Sequence, residues 1–160
     1  MEDDSFGFSL VTYLCEPEEI EQAFFENARC AEYAYRIGSS GRKRPSLKAS
    51  VAGLLRELQP ECRLAVADDQ SWLIREIVAA RNWFAHGNYD LPKPSAPRLL
   101  GLSLKLGALL FLIEIHRRFG PDAARRGALS FLGNARLRSA MAVGTTFRPA
   151  ALDSRDQREH

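Results

Sequence analysis

Apolar side chains recur along most of the chain at intervals of three and four residues, the period of an α-helix with one buried face. A first helix is predicted from near Glu18 to Gly38, because acidic residues favour the positive end of a helix dipole and glycine readily ends a helix. Its apolar stripe is Ile20, Phe24, Ala28, Ala31 and Tyr35. The basic loop GSSGRKRP follows, and a second helix is predicted from near Pro45 until Pro60 closes it. The stripe of that helix is Leu47, Val51, Leu54, Leu55 and Leu58.

Three further helices are predicted in the second half of the chain. The third begins around Asp68 to Ser71 and ends at Gly87, with Leu73, Ile77, Ala80 and Phe84 on its apolar face. After a loop with three prolines, the fourth runs from Arg98 to Phe119 and is apolar on nearly every side. It therefore needs more than one covering neighbour, and a second protomer is one candidate. A weaker fifth helix, from about Asp122 to Met141, is interrupted by two glycines.

The two ends of the chain lack this pattern. Residues 1–16 contain alternating apolar positions from Phe6 to Leu14, which fits a short strand or an arm lying on a partner. Residues 142–160 are polar and predicted to be disordered. The fold class predicted for residues 17–141 is therefore an all-α bundle of four to five helices. With 160 residues, of which 46% are hydrophobic, the chain has room for one domain and not two.

The net charge is only +2, but it is distributed unevenly along the chain. Residues 1–90 carry 10 basic and 15 acidic side chains, whereas residues 91–160 carry 12 basic and 5 acidic ones. A basic half gathered on one face would attract a polyanion, although a solvated surface explains the same numbers. The acidic N-terminus is unlike a secretory signal, and the three cysteines match no zinc spacing. We therefore expect a cytoplasmic protein without a membrane span, a metal or a cofactor.

The segment AARNWFAHGNY places three polar residues at the end of the third predicted helix. Asn82 and His86 are four residues apart and share a face, so the amide can orient the imidazole by a hydrogen bond. Arg81 lies beside Asn82 on the same rim. Basic residues are common in the last turn of a helix because they favour its dipole, so the spacing alone is also compatible with a purely structural role.

These residue types suit RNA cleavage by transesterification, in which the 2′-OH attacks the adjacent phosphorus. His86 can move a proton, and Arg81 can hold the phosphate and stabilise the charge that builds up on it. One histidine cannot be acid and base in the same concerted step. A symmetric dimer would bring a second copy of the group to the site.

The hexapeptide RNWFAH, Arg81 to His86, resembles the RNxxxH signature of HEPN domains, which are all-helical modules of prokaryotic RNases, toxins and defence proteins. The order of helices from Ser46 to Gly120 is most similar to the C-terminal HEPN domain of ApeA-type phage-defence proteins. The resemblance implies a homodimer in which Arg81, Asn82 and His86 of both chains form an RNase cleft. It also implies an antitoxin or a sensor protein as a partner, and a chain that is either stand-alone or part of a longer protein.

Six other residues are candidates for RNA contact. The basic cluster of Arg42, Lys43, Arg44 and Lys48 is suited to phosphates, although it also fits a solvated loop. Trp83 and Tyr89 are suited to stacking on a base, although both also fit a packing role. The leading hypothesis is a metal-independent endoribonuclease acting as a toxin or defence effector. The alternatives are a non-catalytic HEPN module that binds RNA, a nucleotide or a partner protein, and a helical scaffold without a ligand.

Overall fold

The computed structural model describes residues 17–39, 45–87 and 92–142. Within these ranges the fold is all-α: 87% of the residues are helical, in seven helices, and no strand is present. The helices are α1 (Pro17–Gly38), α2 (Leu47–Glu57), α3 (Pro60–Val66), α4 (Gln70–His86), α5 (Ala96–Phe119), α6 (Pro121–Gly133) and α7 (Ala135–Ala142). The predicted arm or strand at residues 1–16 and the predicted tail beyond Ala142 lie outside the described residues.

The predicted all-α class is confirmed, and the predicted number of four to five helices is wrong. Pro60 does not only end α2. It occupies the first position of the short helix α3, where a proline costs no hydrogen bond because that N–H has no intrahelical partner. The predicted fifth helix is two helices. The helical conformation is interrupted at Asn134, which directly follows Gly133.

Side chains at the helix starts explain why α2, α4 and α5 begin where they do. The hydroxyls of Ser46 and Ser95 accept from the third N–H of α2 and α5, and the Asp69 carboxylate accepts from Trp72 N–H at 2.8 Å. At the other end of α4, Gly87 adopts φ 56° and ψ 46° and its N–H donates to the Trp83 carbonyl at 2.9 Å. A left-handed backbone conformation at this position favours glycine. The predicted end of the helix at Gly87 is confirmed.

Helix α5 is the centre of the bundle, and each of the other six described helices contacts it. Most of its apolar circumference is therefore covered within one chain. Two large apolar side chains of α5 stay exposed, Phe111 at 49% and Phe119 at 72%. The predicted buried stripes of α1, α2 and α4 all face this centre, with Tyr35 and Phe84 only half-buried at its edge.

By length and composition α5 is also apolar enough to cross a membrane, with a mean hydropathy of 1.8 over its most apolar 18 residues. Of that window, 61% is buried inside the bundle. The fourth predicted helix is thus confirmed as a largely buried one, and its 24 residues are long enough for a span. Its role as the core of the bundle explains its apolar character.

Two polar side chains of α5 are buried and bound to its neighbours. Ser103 accepts from the Asn27 amide of α1, which donates to its hydroxyl at 3.0 Å and to its carbonyl at 3.1 Å. The ammonium of Lys105 donates to the carbonyl of Val66, the last residue of α3, at 3.2 Å. These bonds fix α1 and α3 along the central helix, because a buried polar group without a partner is costly.

Candidate functional site

The three residues of the motif lie in the last turn and a half of α4, as predicted. The apolar face of α4, at Leu73, Ile77 and Ala80, is buried against the rest of the bundle. His86 lies nine residues after Ile77, which is a rotation of about 180° around the helix. Asn82 and His86 are both exposed and Arg81 is half-buried. Asn82 and His86 therefore point away from the core of their own chain, whereas Arg81, four residues after Ile77, lies at the edge of the buried face.

Asn82 and His86 share a face of α4, as predicted. No hydrogen bond joins the two side chains in the structure, so the orientation of the imidazole by the amide stays a prediction. In the described part of the chain neither group is held by an ion pair or a hydrogen bond through its side chain. Both groups are thus available to a substrate or a second chain.

Beside the motif an aromatic cluster connects α4 to α1. The rings of Trp83 and Phe84 meet edge to face at 4.9 Å between centroids, and Phe84 meets Phe25 of α1 at 5.5 Å. Lys93 reaches over both α4 rings, at 5.8 Å and 5.6 Å from their centroids, and pairs with Glu21 at 2.9 Å. The cluster holds the end of α4, and therefore the motif, against α1. Trp83 is half-buried within it, which fits the packing role that was considered beside stacking on a base.

A second contact fixes α4 to α5. Glu76, less than two turns before Arg81, forms an ion pair with Arg98 in the first turn of α5. Since both ends of this pair are largely shielded from solvent, it is less screened than a surface pair. Sequence reasoning did not single out Lys93, Glu21 or this pair, because each joins elements that are distant in sequence.

The structure describes one of the four residues in the predicted basic cluster. Lys48 is exposed in the first turn of α2. Arg42, Lys43 and Arg44 lie outside the described residues, as does Tyr89.

A shallow pocket on α1 was not predicted from the sequence. Its volume is about 210 Å³, and it is lined by Arg29, Glu32, Tyr33, Arg36 and Pro45. The available signal was the spacing of the two arginines and the tyrosine along α1, which places them on one helix face.

Within residues 17–39, 45–87 and 92–142, no group of three or more histidines, cysteines and carboxylates is arranged to hold a metal ion. Cys30 is an exposed free thiol and Cys62 is a buried one. Burial raises the pKa of the Cys62 thiol, which disfavours the reactive thiolate.

No protein-family model, no curated protein and no solved structure matches this chain.

Proposed function

We propose that the protein is an endoribonuclease of the HEPN type that needs no metal ion and acts as a defence or toxin effector. The observation that carries the proposal is the position of Arg81, Asn82 and His86 together at one helix end, with Asn82 and His86 exposed and Arg81 half-buried. An amide and an imidazole on the outward face have no packing reason to stand beside this arginine. Together they supply a proton-transfer group, a phosphate-binding group and an amide.

In the proposed reaction the RNA supplies its own nucleophile. The 2′-OH loses its proton and attacks the adjacent phosphorus, while the 5′ oxygen leaves and takes up a proton. His86 carries out one of these two proton transfers. The guanidinium of Arg81 binds the non-bridging oxygens of the phosphate and stabilises the extra negative charge of the transition state.

The second proton-transfer group comes from a second copy of the chain. Within one chain the motif contains a single histidine, and Asn82 and His86 are left without side-chain partners on the open face of α4. Packing two such faces around a twofold axis brings two histidines and two arginines to one cleft. The dimer proposal rests on this incomplete site rather than on α5, most of whose apolar surface is covered within the chain.

The second candidate is a HEPN module that dimerises and binds RNA, a nucleotide or a partner protein without cleaving it. The absence of a hydrogen bond between Asn82 and His86 favours it, because catalysis needs an oriented imidazole. In this candidate the same surface contacts a ligand, and no bond is broken.

Incubation of the purified protein with total RNA in the presence of EDTA tests the proposal. We expect cleavage by the native chain, loss of cleavage in His86→Ala and Arg81→Ala, and a smaller loss in Asn82→Ala, since an amide transfers no proton. Two variants serve as matched controls. Arg75→Ala removes an exposed arginine from the same helix, and His116→Ala removes a histidine from the last turn of α5.

Cleavage that needs added Mg²⁺, or cleavage that survives in His86→Ala, would overturn the proposed catalytic set. Binding of RNA without cleavage by the native chain would establish the second candidate. Circular dichroism of each variant confirms that the helices are retained, and the exposed position of His86 makes a loss of fold unexpected.

A further inference from the structure

The pocket on α1 has the side-chain chemistry of a nucleotide site. Two of its five lining residues are arginines and one is a carboxylate, so its formal charge is positive. No carboxylate among the described residues pairs with Arg29. A guanidinium that is exposed and without an ion pair is available for a phosphate, which it can bind through two parallel hydrogen bonds.

The spacing of the three key residues places them on one side of α1. Arg29, Tyr33 and Arg36 are related by four and then three residues, so their side chains project in similar directions. The two arginines are seven residues apart, or roughly 10 Å along the helix axis, with the tyrosine between them. The row therefore offers positive charge on both sides of an aromatic ring.

Tyr33 is unusually open for an aromatic residue, with 57% of its surface exposed. The guanidinium carbon of Arg36 lies 5.3 Å from the centroid of its ring. This contact holds the ring in place through a cation–π interaction and keeps the guanidinium close to it. An ordered, exposed ring beside a positive charge is the arrangement on which proteins stack the bases of single-stranded nucleic acids.

The size of the pocket restricts its occupant. A volume of about 210 Å³ is below the range of roughly 300–1,000 Å³ that is usual for sites enclosing a whole drug-sized ligand. The pocket is therefore too small to enclose a whole nucleotide, and a base would lie outside it, on Tyr33. We propose that this pocket binds one nucleotide, with its phosphate held by Arg29 and Arg36 and its base stacked on Tyr33.

The position of the pocket links it to the motif on α4. Phe25, which contacts Phe84 of α4, lies one helical turn before Arg29 on α1. A strand of RNA held at the motif would therefore pass close to the pocket. In so far as the nucleotide belongs to an RNA substrate, the inference rests on the proposed function; a free nucleotide would use the same contacts.

The test measures binding in a His86→Ala background, where cleavage does not consume the probe. A short fluorescent single-stranded RNA is titrated with the protein and with its Arg29→Ala, Arg36→Ala and Tyr33→Leu derivatives. We expect each arginine substitution to weaken binding about tenfold, because a hydrogen bond to a charged group is worth roughly that factor. We expect Tyr33→Leu to weaken binding by about fivefold or more through lost stacking.

Arg126→Ala is the matched control, since it removes an exposed arginine of α6 and the same charge. Unchanged affinity in all three pocket variants overturns the inference, as does an equal loss in Arg126→Ala, which would indicate general charge attraction. Competition with AMP separates the two sources of ligand. Displacement of the RNA by AMP identifies a free-nucleotide site, and weakened RNA binding without displacement identifies a subsite for the RNA strand.

Cleavage by the chain with an intact His86 is recorded in parallel. Cleavage together with unchanged binding in the pocket variants means that the inference fails and the proposed function stands. If the chain never cleaves RNA but the pocket variants bind RNA more weakly, the inference stands and the proposed function fails.

Discussion

The guanidinium of Arg117 binds the carboxylate of Glu57 through two hydrogen bonds, of 2.6 Å from Nε and 2.8 Å from Nη2. Its Nη1 donates to the carbonyl of Ala34 at 2.8 Å. These residues belong to α5, α2 and α1, so one side chain joins three helices near their C-terminal ends. The bond to Glu57 raises the pKa of Arg117 above its ordinary value, and the guanidinium stays charged.

Substitution of Arg117 by alanine is expected to lower the free energy of unfolding by about 1–3 kcal/mol, measured by urea denaturation. The expected loss of stability is smaller than for a fully buried ion pair, because the side chains of Arg117 and Glu57 are 24% and 31% exposed. Arg118→Ala is the control, since Arg118 pairs with Glu114 on the surface and is 69% exposed. The control should change stability by about 0.5 kcal/mol or less. Equal effects of the two substitutions would show that Arg117 is an ordinary surface residue.

The ring of Tyr35 lies directly against the backbone of Gly53, where α1 and α2 cross. A β-carbon at Gly53 would be 2.1 Å from Cε2 of the tyrosine, far closer than atoms can pack. Gly53→Ala should therefore destabilise the fold by about 1–3 kcal/mol, although alanine favours a helix more than glycine does. The midpoint of thermal unfolding measures the effect.

Gly107 in α5 gives the matched comparison. A β-carbon there has its nearest neighbour at 3.9 Å, which is an ordinary contact. Gly107→Ala should raise stability by about 0.5–1 kcal/mol through helix propensity alone. A loss of stability at Gly107, or a gain at Gly53, would contradict this account of helix packing.

Local signals in the sequence were enough to predict the helices that carry the motif and the core. Glu18 and Glu19 mark the start of α1, and Gly87 marks the end of α4, because their physical effects act within one helical turn. The separate helix α3 was missed because a proline ends one helix and begins another equally well. The partners of α5 were also missed, since periodicity shows that a face is buried and not what covers it.

In the candidate site, too, local patterns predicted some features, and contacts between distant residues were missed. The apolar stripe of α4 predicts which face of the helix is buried, and Asn82 and His86 lie on the opposite face. Their exposure could therefore be predicted from the sequence. The ion pair of Lys93 with Glu21 joins residues far apart in the chain, and no pattern of spacing reports it. The missing hydrogen bond between Asn82 and His86 depends on side-chain rotamers, which spacing does not determine.

Lys105 makes the stability of the fold depend on alkaline pH. Burial lowers its pKa below the ordinary 10.5, an effect that the nearby charge of Asp68 partly offsets. Between the lowered pKa and 10.5 the unfolded chain binds more protons than the folded one, so this residue makes the fold more stable as pH rises. Lys105→Met keeps the length of the side chain but has no ammonium. Its free energy of unfolding in urea, measured at a series of alkaline pH values, should therefore lack the rise with pH that Lys105 contributes.

The contribution is obtained as the difference in stability between the native chain and Lys105→Met at each pH. Lys48→Met is the control for loss of one ammonium, because Lys48 is exposed. A difference that stays constant as pH approaches 10.5 would show that the ammonium of Lys105 is not penalised by burial.

The outward face of α4 is expected to form the twofold contact of a homodimer. Ala85 is exposed between the motif residues and should lie inside this contact. Light scattering should give about twice the chain mass of 17.9 kDa, and Ala85→Arg should give a monomer that does not cleave RNA, because a long charged side chain cannot pack there. Ala49→Arg places the same group on an exposed position of α2 and should leave a dimer. A native monomer that cleaves RNA would disprove a shared site.

The chemistry proposed for the motif determines the ends of the RNA products. When the 2′-OH is the nucleophile, cleavage leaves a 2′,3′-cyclic phosphate on one fragment and a 5′-hydroxyl on the other. A substrate with a single 2′-deoxy nucleotide at the cut site should therefore resist cleavage while it still binds. Mass spectrometry of the fragments identifies both ends directly, and the reaction should proceed at full rate in EDTA. Fragments with 5′-phosphate ends, or cleavage of the deoxy substrate, would require water as the nucleophile and would remove the role assigned to His86.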